Sequence, residues 1–168
     1  MPEKIIIRKS RFWDVIGIER VVIWAKQPRI AKKLVRSKLR SSILLGIALM
    51  RRVNHAIDYL GANAMGQKYR FLTIVAESDG QIVGACTINT ALGRDPYVWF
   101  LGPIAVSLND RKKGIGTLLL NEALRYVKRY GGKSMFLSVS GDNTAAIALY
   151  KKCGFKSTAA DISMVYDF

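Results

Sequence analysis

The chain has 168 residues, half of them hydrophobic and 23% charged, with a formal net charge of +15. Such a length suits one domain able to bury a sizeable core, and the composition excludes a disordered or low-complexity chain. The charge is uneven: residues 1–70 carry 16 Lys/Arg against 4 Asp/Glu (+12) and residues 71–168 carry 11 against 8 (+3), which points to an anionic partner and says nothing about fold.

In chain order, the opening Met-Pro-Glu-Lys lacks the basic region and cleavage site of a secretory signal. Ile5-Ile6-Ile7 reads as a first strand. Helical spacing follows from Phe12 to about Ala25, weakened by Gly17 and ended by Gln27-Pro28. A longer helical pattern runs from Arg29 to about Leu60, with Ile30, Leu34, Ile43, Ile47, Val53, Ile57 and Leu60 on its apolar face. Ser41-Ser42 is a candidate break. The apolar run Ile43–Met50 is far shorter than the roughly 20 residues of a membrane span, so a core helix is expected.

The texture then turns to strands. Arg70–Ala76 alternates, Asp79-Gly80 signals a hairpin, Gln81–Thr90 returns, and Tyr97–Val106 is a third strand. Ser107–Lys113 is a basic loop, Gly114–Tyr130 a helix closed by Gly131-Gly132, and Ser134–Ser140 a strand. A helix over Thr144–Lys152, closed by Gly154, precedes one or two final strands. Cys86 and Cys153 belong to no C-x-x-C or His/Cys group, so packing roles, no metal site and a reducing, cytoplasmic setting are expected.

The chemistry concentrates in Arg111-Lys112-Lys113-Gly114-Ile115-Gly116-Thr117, a loop entering a helix. Helix-opening N–H groups lack intrahelical acceptors, the helix dipole adds positive character, and the glycines admit close approach. With three cations beside them they suit a pyrophosphate, although a basic turn before a helix is often only a turn. The order of residues fits neither a Walker loop nor a Rossmann fingerprint.

Arg-x-x-Gly-x-Gly after a strand is followed by Asn143-x-x-Ala146-x-x-x-Tyr150-x-x-x-Gly154-Phe155. Together the two motifs resemble the GNAT N-acetyltransferase superfamily over about residues 71–155. The resemblance implies an α/β (α+β) GNAT-like fold: a central mixed, mostly antiparallel twisted sheet flanked by helices. It also implies one acyl-CoA N-acyltransferase domain over residues 1–168. Residues 1–66 would wall the acceptor site, and residues 67–168 would form an acetyl-CoA-binding core. The backbone of Ile104, Ala105 and Val106 would meet the pantetheine arm and polarise the thioester. Residues 111–117 would grip the pyrophosphate, and Asn143 with Ala146 would contact the cofactor. Tyr150 would protonate the departing thiolate as well as border the cofactor. The plainer readings are an ordinary N-cap for Asn143 and a core ring for Tyr150.

Some members of this family place a glutamate on the central strand. Tyr97–Val106 holds no acid, which leaves Glu77 as the candidate base ahead of Asp95 and His55. No Asp or Glu occurs between Glu19 and Asp58 while Lys and Arg recur, so the amine acceptor is expected to be anionic or protein-borne, and a polyamine is disfavoured. A homodimer, and contact of the basic helices with nucleic acid or a membrane surface, stay open. The alternative function is a non-catalytic CoA-binding or basic-surface module.

Overall fold

The computed structural model describes residues 4–26, 70–90, 95–158 and 163–168, with residues 46, 49 and 60. Among them, seven strands form one sheet: β1 (Ile6–Lys9), β2 (Phe71–Ser78), β3 (Gln81–Thr90), β4 (Val98–Val106), β5 (Ser134–Ser138), β6 (Lys156–Ser157) and β7 (Ser163–Asp167), in the order β1-β2-β3-β4-β5-β7-β6. Every pairing is antiparallel except β4 with β5. Helices α1 (Val15–Lys26), α2 (Ile115–Arg129) and α3 (Thr144–Lys152) accompany it. The mixed, mostly antiparallel sheet is the one expected.

Period-2 alternation gives the sheet two apolar faces. Ile74, Ala76, Cys86, Ile88, Trp99 and Leu101 point one way, into a core completed by α2. The helix answers with Ile115, Leu119, Leu120, Ala123 and Val127, at i, i+4, i+5, i+8 and i+12, which keeps them on one stripe. Each buried Ile, Leu or Val among them contributes roughly 2 kcal/mol. Val75, Ile82, Ala85 and Ala105 point the other way and pack under Val21 and Val22 of α1. Gly17 weakens α1 by about 1 kcal/mol relative to alanine. It also lets the helix sit down on β3, because a Cβ there would lie 2.9 Å from Ile82.

The Asp79-Gly80 hairpin signal is realised with both residues at positive φ, 47° and 72°, as a type I′ turn requires. Gly132 is constrained by space: a Cβ would lie 2.2 Å from Val127 and 2.9 Å from Trp99, both buried. Gly132→Ala is therefore expected to cost about 2 kcal/mol of stability in urea unfolding. A change near zero would mean that the α2–β5 turn moves aside freely.

Two expectations fail. Leu60, assigned to an apolar face, is helical but 66% exposed. Leu49, in the apolar run expected to form a core helix, is helical but 60% exposed. Apart from Gly46 and Leu49, residues 29–59, His55 among them, lie outside the described residues.

Candidate functional site

The site begins with a defect in β4. Cys86 faces Ile104 and Ile88 faces Leu101, so Thr87 alone opposes both Gly102 and Pro103. That is a β-bulge. Glycine is required, because a Cβ at 102 would lie 2.2 Å from the Thr87 hydroxyl, and Pro103 brings no N–H to a ladder.

Below the bulge, β4 pairs with β5 from Val98–Ser134 to Phe100–Phe136. Above it, β4 continues to Val106 paired with β3 alone. The two parallel strands fork, leaving one backbone edge of residues 101–106 unpaired with β5. The hydrogen-bond alternation says which groups it shows. Ser107 N–H donates to the Val83 carbonyl at 2.8 Å, so Ser107 and, two residues back, Ala105 turn toward β3. Ile104 and Val106 then turn their N–H and C=O groups into the fork. Ala105 also sends its side chain under α1.

At the head of the fork, a short 3-10 turn (Leu108–Asp110) leads into the basic loop. Arg111 Nε reaches the Val106 carbonyl at 3.4 Å, and Lys113 Nζ bridges to Asp110 at 2.9 Å. Lys112 (φ 63°) and Gly114 (φ 79°) are left-handed. Gly114 caps α2 without any side-chain acceptor, and a Cβ there would meet nothing within 4 Å. Gly114 is exposed, so the turn that opens α2 lies at the surface, while the buried Ile115 side chain anchors it. Gly116 serves a different purpose from Gly114: its missing Cβ would lie 3.2 Å from Leu149, so it admits α3 against α2. Thr117 is half-buried behind it.

Asn143 caps α3, its Oδ1 accepting the Ala146 N–H at 3.2 Å. The plain role foreseen for Asn143 is thus fulfilled at an exposed position. From α3, Tyr150 enters the core and is 7% exposed, its ring 5.9 Å from that of Phe155. Burial, and secondarily the Cys86 thiol, raise the Tyr150 phenol above its ordinary value. Cys86 stands opposite Ile104 in the β3–β4 ladder, on the sheet face that the core cluster with Tyr150 covers. Burial pushes the Cys86 thiol itself up to about 12, which fits an unreactive packing residue.

Glu77 lies elsewhere, on β2, with β3 between it and β4. Its carboxylate accepts Arg8 Nε at 2.8 Å and Nη2 at 2.5 Å, and the same guanidinium binds Asp14 at 2.6 and 2.9 Å. Asp14 is 5% exposed and also takes the Arg11 N–H at 2.5 Å. This tie fastens β1, β2 and the turn into α1. Neither Arg8 nor Asp14 was singled out from the sequence, and nothing in their spacing joins them to Glu77. Asp95 is exposed and accepts the Tyr97 N–H at 2.9 Å. A cavity of about 370 Å³ opens between α1 and the 107–110 turn, lined by residues that include Arg20, Ile82 and Asp110, and no residue of β5 or α3 reaches it.

Residues 48–155 match the family described as Acetyltransferase (GNAT). The L-2,4-diaminobutyric acid acetyltransferase of Nocardia farcinica is 36% identical over 78 residues, 46% of this chain and 40% of that protein. The N-alpha-acetyltransferase of Sulfurisphaera tokodaii is 35% identical over 99 residues, 54% of this chain and 59% of that protein. The matches thus span about half the length of these curated relatives. A GNAT family acetyltransferase from Brucella melitensis, solved with acetyl-CoA, superposes with a TM-score of 0.63 at 22% identity, over 99% of this chain and 89% of that one. At that identity the likeness speaks to the fold.

Proposed function

Because this chain belongs to the acetyltransferase (GNAT) family, we propose that it moves an acetyl group from acetyl-CoA to a primary amine of a small molecule or a protein. The observation that carries the reading is the fork, where the Ile104 and Val106 N–H groups turn away from β3 with no β5 strand beside them and run up to a loop of cations at the start of α2. A pantetheine arm has the amide groups to pair with such an edge as an added strand. The pyrophosphate beyond it suits Arg111, Lys112 and the N–H groups of Gly114–Thr117. Lys113 would exchange its bridge to Asp110 for phosphate.

In this reading an N–H of the fork donates to the thioester oxygen, where charge builds as the amine attacks. Tyr150, kept protonated by burial, gives its proton to the leaving sulfur. Glu77 takes no part, because its carboxylate holds Arg8, and the ammonium proton passes to water. The acceptor would approach over the face walled by α1. A CoA-binding module without turnover is the second reading, favoured by the depth of Tyr150.

Thermal shift with acetyl-CoA tests the binding, and thiol release across a panel of amines separates the two readings. Arg111→Ala is expected to weaken CoA about tenfold, the scale of one charge-assisted contact, and to leave a phosphate-free pantetheine analogue unaffected. Equal losses for both ligands would remove the loop from the phosphate site.

A further inference from the structure

The opposite end of β4 carries a surface with no task in acetyl transfer. Here the end of β1, the start of β2, the last turn of α2 and the starts of β4 and β5 come together. Lys9 lies 5.1 Å from the ring centre of Tyr126, Tyr126 stacks on Tyr130 at 4.4 Å, and Arg70 covers Tyr130 at 5.1 Å. Lys133 covers Tyr97 at 4.8 Å, and Gly131 joins the two groups by abutting Tyr97. Ser10 N–H bonds to the Thr73 carbonyl, which brings the Arg11–Trp13 turn to the same end as Phe71.

Trp13 is 71% exposed, Tyr130 40% and Phe71 37%. Large rings are seldom left in water in such a concentration. Cations interleave with them: Lys9, Arg11, Arg70, Lys128, Arg129 and Lys133. Asp14 is turned inward to Arg8, so among the described residues Asp95 and Asp167 are the acids left exposed at this end.

We infer that this end of the molecule docks on an anionic lipid bilayer, with Trp13, Phe71 and the tyrosines among the head groups and the cations on lipid phosphates. Single-stranded nucleic acid would need bare ring faces for its bases. Arg70 and Tyr126 both pack on Tyr130, and Lys133 caps Tyr97, so three of the rings at this end are already engaged by protein groups. A second copy of the chain would bring the same cations face to face. No helix among the described residues is long and apolar enough to cross a membrane, so the contact is superficial. Eight residue steps of β4 separate Val98 from Val106, about 27 Å, which keeps the fork and its loop in water.

Co-sedimentation of the whole chain with vesicles of phosphatidylcholine, alone or mixed with phosphatidylglycerol, tests this without any activity readout. Binding is expected to the mixed vesicles only, with release at high salt. Trp13→Ala, and separately Lys128→Glu with Arg129→Glu, should each weaken it about tenfold or more. These side chains are exposed, so their replacement leaves the fold intact. Binding to neither composition or equally to both would overturn the inference. So would undiminished binding of both variants, or capture of a single-stranded oligonucleotide in place of vesicles.

Discussion

Tyr150→Phe is expected to lower acetyl transfer about 100-fold, the scale of a lost general acid, with affinity for CoA essentially unchanged. The substitution removes one oxygen and keeps the ring that packs on Phe155 at 5.9 Å, so the core retains its shape. Burial raises the phenol's pKa, which leaves the proton in place at neutral pH and through the mildly alkaline range. Turnover that depends on this proton should decline only above the ordinary phenol value of about 10. The decisive comparison is single-turnover chemistry against CoA binding in the two proteins. Equal chemistry in both would leave Tyr150 a packing residue and would favour proton donation from water.

The second large effect concerns stability. Removing Arg8 strands two carboxylates, one of them 5% exposed, that share its guanidinium. Arg8→Ala should therefore lose about 3 kcal/mol in urea unfolding, toward the lower bound for breaking a buried pair because Arg8 keeps some contact with solvent. The pH dependence has a definite sign. Hydrogen bonds from Arg8 hold the Asp14 carboxyl below its usual range, against burial that acts in the opposite direction. A depressed folded pKa stabilises above the unfolded value of about 3.9 and loses that stabilisation as pH falls through the folded one. The gap between wild type and Arg8→Ala should thus be widest near neutrality and narrow below about pH 4. A gap that is small at neutral pH, or constant down to acid, would show that the tie carries little energy. Glu77→Gln, measured alongside, should perturb stability more than turnover, which separates the tie from the role of base that the sequence suggested.

The order of elements was legible because each depends on residues close along the chain. The alternation of Phe71–Ala76, the Asp79-Gly80 turn, the apolar stripe from Ile115 to Val127 and the Gly131-Gly132 stop all lie within one element or its border. The Arg111–Gly116 loop was legible for the same reason: cations, glycines and a helix start are local properties. Gly102-Pro103 carried a readable sign of a bulge, and a strand drawn unbroken from Tyr97 to Val106 passed over it.

The sequence by itself determined the succession of the described strands and helices, the basic loop and the family. Only the tertiary structure decided which of Ile104, Ala105 and Val106 face the fork, because that depends on the register against β3. It alone joined Arg8 to Glu77, 69 positions apart. Likewise it gathered Trp13, Arg70, Tyr97 and Lys133 from separate segments onto one end of the sheet. The physical reason is common to all three: spacing along a chain encodes local conformation, whereas the neighbours of a side chain across strands are fixed when the sheet pairs and its two faces are covered.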